Sequence, residues 1–303
     1  MKRKINRVGY STLTVSLPSK WAKQYGLKPG DEVEISEDGR TLRIEAKKGS
    51  NKRQAVFDVS GLSPRLIDRL VIWSYIKGYD EVKIKFSTPE TMSIISNKVQ
   101  ELFGFEVTER KSNQCTLQMI TEQFEFDFEA AFRKAFLLVS GMGEDCLSFY
   151  KDRKNQELKE MYLRDFEVNK YCHFCLRELN KQFVSGLDTY ALFYLVLIIE
   201  DVGDDYKELS TDLAEIGFDS SIAQLLNELL KTIKVCYQFF YKQDKNLANE
   251  AFLLYNRINK LILESIRLGN DKRVLSVILR IRNANELMYH YPTMQLNNIS
   301  SLH

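Results

Sequence analysis

The stretch STLTVSLPSKWAKQYGLKPGDEVEI, Ser11–Ile35, decides how the chain begins. Leu13, Val15 and Leu17 alternate with Thr12, Thr14 and Ser16, the period of a half-buried strand, and Pro18 ends it because proline has no N–H for a sheet ladder. Ser19 is placed to cap a short helix carrying Trp21, Ala22 and Tyr25 on one face, with Gly26 just past its end. KPGD then reads as a turn in which glycine supplies the positive φ. EVEIS and TLRIEA follow as strands around EDGR, with Val33, Ile35, Leu42 and Ile44 as the inward set. A strand-helix-strand-strand unit spanning residues 1–48 is too small to bury much surface, and it holds no cysteine or histidine for a disulfide or metal. A second copy of the chain is the expected remedy.

Charge is distributed unevenly around this unit. Lys2, Arg3, Lys4, Arg7, Lys20 and Lys23 all precede the first acidic residue, Asp31, whereas the whole chain of 303 residues has a formal net charge of +2. A basic end on a nearly neutral chain selects an anionic partner at one place.

LPSKWAKQYGLKPGDEVEI resembles the AbrB/MazE/SpoVT-type domain, in which two chains interleave hairpins into one small barrel. The resemblance implies a swapped-hairpin homodimer that binds DNA. Arg3, Lys4 and Arg7 would meet phosphates, with Lys20 and Lys23 as flanking contacts. The loop GYSTLTVSLP is longer than the family's compact form and has no arginine after Gly9, so the family's DNA-contacting arginine there is not carried over.

Residues 52–121 read differently. RQAVFDVS and EVKIKF are strands. SPRLIDRLVIWSYIKGYD and TPETMSIISNKVQELFG are helices, with Ser63 and Thr88 as caps, and FEVTERK and QCTLQMI form a hairpin. Strands alternating with helices predict a small α/β connector domain, and no phosphate loop, nucleophile elbow or metal-ligand spacing interrupts it.

From Glu125 onward apolar residues recur at three- and four-residue steps, which predicts an all-α domain over 124–291 followed by a tail, 292–303. Breaks at DRKNQ, VSGLD, IGFDSS, KQDKN and LGNDK divide it into about six helices, a three-helix unit used twice. Val168-Asn169-Lys170 aligns with Ile258-Asn259-Lys260. The segment Glu200–Asp204, EDVGD, resembles the signature on the third helix of each repeat in the PhoU family. Glu200 with Asp204, and Asp201 with Asp205, are like charges one turn apart, a spacing that destabilises a helix by about 0.2–0.5 kcal/mol per pair unless something compensates. The resemblance implies a magnesium, manganese or iron site at Glu200, Asp204, Asp165 and Asp201. The alternative is a solvated acidic patch, or one paired with lysine and arginine from a neighbouring helix. Asn169, Asn259, Ile281, Ala284 and Asn285 stand where the family has acidic residues or glycine, so at most the first repeat retains metal chemistry.

Several classes are excluded or disfavoured. The longest apolar run, Ala191–Ile199, is about half of a bilayer span, so no membrane insertion is expected. Five cysteines without framework spacing and the lack of a secretory pattern point to reduced thiols in a cytoplasm. Cys172, His173 and Cys175 read as a helix face, because no second pair completes a zinc site. No nucleophile stands beside a base at recognisable spacing, and the histidines are only His173, His290 and His303, so an enzyme is not expected. The whole order, multidomain α+β with an AbrB-like start and a PhoU-like end, resembles archaeal phosphate-uptake regulators. The alternative is an adaptor docking on phosphate transporter subunits, a signalling kinase or another regulator, with the barrel serving assembly alone.

Overall fold

A computed structural model describes residues 2–38, 41–46, 52–121, 123–181, 189–266 and 271–295. The chain divides into two compact units, the first ending at Arg53 and the second beginning at Gln54.

In the first unit β1 (Ile5–Val8) pairs antiparallel with β2 (Thr12–Val15), and β3 (Val33–Asp38) with β4 (Thr41–Ala46). These are two separate two-stranded sheets, and no pairing joins them among the described residues. Between them lies α1 (Ser19–Gln24). Pro18, not Ser19, holds the capping position, and its carbonyl accepts from Ala22 N at 2.9 Å. Proline's fixed φ and missing N–H suit the position just before a helix, so the serine is displaced to the first helical residue. Gly26, at φ +63°, closes the helix as expected: Leu27 N reaches back to Ala22 O at 2.9 Å. Gly30, at φ +94°, completes the turn in which Asp31 N bonds Lys28 O at 3.0 Å.

The second unit opens with β5 (Gln54–Asp58), α2 (Pro64–Ile76), β6 (Glu81–Lys85), α3 (Glu90–Val99), β7 (Phe105–Lys111) and β8 (Gln114–Met119). The sheet order is β5-β6-β8-β7, parallel between β5 and β6 and antiparallel elsewhere, with a register shift between Val107 and Glu109. Val82, Ile84, Phe105, Cys115 and Leu117 are buried beneath α2 and α3 residues such as Ile67, Val71, Ile95 and Val99. Thr88 is not the cap of α3. Pro89 holds that place, and Thr88 Oγ1 lies 3.0 Å from Thr91 Oγ1.

Six long helices follow: α4 (Phe128–Asp152), α6 (Tyr162–Lys181), α7 (Thr189–Leu213), α8 (Ser220–Lys242), α9 (Lys245–Ile266) and α10 (Lys272–Met294). The short α5 (Asn155–Lys159) lies between the first two. Aspartates cap three of them: Asp127 Oδ1 accepts from Ala130 N at 2.9 Å, and Asp219 and Asp271 act likewise. Helices α4, α6 and α7 pack on one another, as do α8, α9 and α10, and the two triplets meet through α7 on α10 and α4 on α8. VSGLD, expected to separate α6 from α7, lies outside the described residues. The last helix does not stop before Pro292 as the sequence suggests: it carries the proline in its final turn and ends at Met294.

Candidate nucleic-acid interface and the acidic cleft

The described residues of the first unit form no interior of their own. Among its described side chains none is buried, and Ile5, Val8, Leu13, Val15, Ile35 and Leu42 are between 46 and 68 % exposed. In the β1–β2 register Ile5 faces Val15 and Arg7 faces Leu13, so Ile5, Arg7, Leu13 and Val15 share one side. Ile35 opposite Ile44 and Val33 opposite Ala46 form an equivalent apolar side on the other hairpin. Burying such half-exposed aliphatics is worth about 1–2 kcal/mol each, a gain the lone unit forgoes.

The basic residues are placed around this surface. Arg3 and Lys4 precede β1, Arg7 lies within it, and Lys20 and Lys23 lie one turn apart on α1; all five are exposed. Arg7 stands on the apolar side of its hairpin, because it follows Ile5 by two residues and successive strand side chains alternate faces. What the arrangement can do chemically is present mobile cations at the rim of an apolar surface.

The expected metal residues sit in the second unit. A cleft of about 600 Å³ is lined by Arg65, Arg69 and Ile72 of α2, by Asp165, Asn169 and His173 of α6, and by Glu200, Asp204 and Lys207 of α7. The helices can meet because Gly203 faces α6: a Cβ there would lie 3.2 Å from Val168 Cγ1 and 3.6 Å from Asp165 Oδ1. Asp165, Glu200 and Asp204 are brought together, whereas Asp201 is exposed and does not line the cleft.

A residue not foreseen from the sequence dominates this geometry. The ammonium of Lys207 donates to Asp165 Oδ2 at 2.8 Å and also pairs with Asp204, one turn before it on α7. Asn169 Nδ2 donates to the same Asp165 oxygen at 3.2 Å. Burial pushes the Asp165 carboxyl up to about 6 in spite of Lys207. Glu200 lies 3.7 Å from His173 Nε2. Its carboxyl sits below the ordinary range: burial works against that, and His173, Arg69 and Lys207 outweigh it. At the corresponding place in the other triplet, Asn285 Nδ2 lies 3.4 Å from Asn259 Oδ1 and 3.3 Å from Tyr255 O, and the Tyr255 hydroxyl donates to the Glu286 carboxylate at 3.0 Å. The residues do not fit the metal that the resemblance implies, because a lysine already occupies the carboxylates' cationic partner position. No group of three metal-ligating side chains assembles among the described residues.

Cys172 and Cys175 are fully buried, and burial raises both thiols well above their ordinary value. They are core, and His173 between them turns to Glu200.

A second unforeseen cluster joins the sheet domain to the helices. Arg177 of α6, 1 % exposed, donates from Nη1 to Tyr75 O (2.8 Å) and Tyr79 O (2.9 Å) and from Nη2 to Asp80 Oδ1 (2.8 Å). Asn180 Nδ2 donates to Ile76 O at 2.9 Å, and Lys181 reaches Asp80 Oδ1 at 2.9 Å. The last carbonyls of α2 have no partners within their own helix, and α6 supplies both donors and positive charge at that end. A signal for this was present: Asp165, Asn169, His173, Arg177 and Lys181 recur every four residues, a polar stripe on one face of α6.

The fold and these sites define a multidomain α+β protein with a small strand unit at its start and a mostly helical remainder. Residues 7–52 match the family described as Antidote-toxin recognition MazE, bacterial antitoxin. The first unit is therefore similar to MazE/AbrB-type domains. No curated protein and no solved structure matches the chain. No helix among the described residues is long and apolar enough to cross a membrane.

Proposed function

We propose that the chain is a homodimeric DNA-binding regulator whose first unit forms a swapped-hairpin barrel with a second copy. The observation that carries this reading is the pair of unjoined hairpins, each with an exposed apolar side, in the segment that matches the MazE family. Sharing that surface buries it, and it doubles the number of exposed cations presented to one duplex. Arg3, Lys4 and Arg7 are the phosphate contacts in this reading, with Lys20 and Lys23 flanking. Three such residues from each of two protomers give roughly six contacts, and each contact contributes about 0.9 to the slope of log affinity against log salt. Neutralising Arg3, Lys4 and Arg7 together is expected to abolish most of that slope in a fluorescence-anisotropy titration with duplex DNA. An unchanged slope and affinity would remove DNA from the reading.

The helical part is proposed to transmit phosphate status, on the strength of the EDVGD segment and of two mutually packed helix triplets. Genome-wide mapping of bound DNA at high and low phosphate tests it: occupancy that moves with phosphate supports the proposal, and occupancy indifferent to it does not. A second reading, that of an antitoxin-type regulator bound to a polypeptide partner, is favoured by the family description itself. Stoichiometric co-purification of a small polypeptide that the first unit alone retains would select it.

A further inference from the structure

The EDVGD segment concentrates carboxylates that demand a cation, and the structure shows which one they have. Asp165, 5 % exposed, and Asp204 converge from two helices on the Lys207 ammonium, and Asn169 donates to the Asp165 oxygen that Lys207 also contacts. Glu200, another carboxylate lining the cleft, faces His173, and Arg69 of α2 adds its field. In the other triplet Asn285 and Asn259, which align with Asp204 and Asn169, form an amide pair, and Ile281 stands at the place of Glu200. Each place has therefore been closed by the chain's own groups, one by a tethered ammonium and one by an amide pair.

We infer that Lys207 is a built-in cation that takes the place of a divalent metal, so that the helical part holds its α6–α7 contact without metal. The chemistry differs from that of a metal site in a testable way. An ammonium offers three donors on a flexible stem and needs no fixed ligand geometry, whereas magnesium demands nearly ideal octahedral oxygen coordination. Removing the ammonium leaves Asp165 buried beside Asp204 and Glu200 with its main partner gone, the costly situation for a carboxylate.

The test uses the full chain. Purified protein is assayed for bound metal by inductively coupled plasma mass spectrometry, and melting temperatures are measured with EDTA and with MnCl₂ for wild type, Lys207→Ala and Lys207→Arg. Wild type is expected to hold far less than one metal per chain and to melt at the same temperature in both solutions. Lys207→Ala is expected to melt several degrees lower in EDTA, and Lys207→Arg, which keeps a cation there, to recover at least half of that loss. Stoichiometric metal in wild type, or a manganese-dependent rise in its melting temperature, would overturn the inference. So would a Lys207→Ala chain as stable as wild type, or a Lys207→Arg chain no better than Lys207→Ala.

Discussion

Arg177→Met should be among the most damaging single substitutions in the second unit. The change preserves the aliphatic stem and removes three hydrogen bonds of 2.8–2.9 Å, two to the carbonyls of Tyr75 and Tyr79 and one to the Asp80 carboxylate. It also removes the guanidinium that lies 4.9 Å from the Tyr75 ring centroid. Breaking a buried ion pair by deleting one partner costs about 3–5 kcal/mol, because the other charge stays buried. Asp80 is 8 % exposed but keeps Lys181 at 2.9 Å, so the lower end of that range applies. For a domain of this size each kcal/mol moves the melting temperature by about 2–4 °C, which gives a fall of roughly 6–12 °C. Circular dichroism melting measures the fall, and hydrogen exchange should show the loosening concentrated in α2 and the end of α6. Arg177→Lys keeps the charge without the planar fork and should fall between the two. A melting temperature for Arg177→Met within about 2 °C of wild type would refute the claim that this cluster holds the sheet domain to α6.

Other consequences are equally concrete. Gly143→Ala should destabilise the helical part: the added Cβ would sit 2.7 Å from Tyr206 Oη and 3.2 Å from Leu230 Cδ1, and overpacking of about 1–3 kcal/mol exceeds the gain of up to about 1 kcal/mol from better helix propensity. A thermal melt no lower than wild type would contradict that. Burial raises the carboxyls of Asp165 and Asp205 to about 6 from an ordinary 3.8. Their protonated forms therefore favour the folded state, a contribution complete below 3.8 and lost as pH rises through about 6. Glu200 and Glu228 are shifted the opposite way and cost stability only as pH falls below about 4.5. The melting temperature should accordingly rise between pH 7 and pH 5 and then turn over, and Asp205→Asn should flatten part of that rise. A melting temperature that falls steadily from pH 7 to pH 5 would show the sign to be wrong.

Local pattern made much of this architecture legible. Gly26, Gly30 and Pro18 punctuate the first unit because their conformational preferences are local; the break at KQDKN falls instead on Gln243, at φ +48°, and the one at IGFDSS ends on the Asp219 cap of α8. The capping residues were displaced by one position at Ser19 and Thr88, in each case because the neighbouring proline takes the capping position. Long-range pairings were not legible. Arg177 and Asp80 are 97 residues apart, Lys207 and Asp165 are 42 apart, and no periodicity within one segment states which partner another segment will supply. The carboxylates of EDVGD were visible, and so was their need for a counter-charge. That Lys207, three residues beyond Asp204, also takes the Asp165 carboxylate depends on α6 arriving opposite it, which packing decides. That Leu13 and Val15 join Ile5 and Arg7 on one side depends likewise on the β1–β2 register, which the turn sets.

The proposed dimer requires the first unit to lack a core until a second chain supplies one. Amide hydrogen exchange across Ile5–Val15 and Val33–Ala46 of the intact chain, followed on dilution from a concentration where two copies associate to one where single chains of 35.4 kDa predominate, tests this directly. Protection of these strands should vanish as single chains appear, while the core amides of α4 and α8 remain slow. Strands that stay protected in a single chain would mean that the unit stands alone.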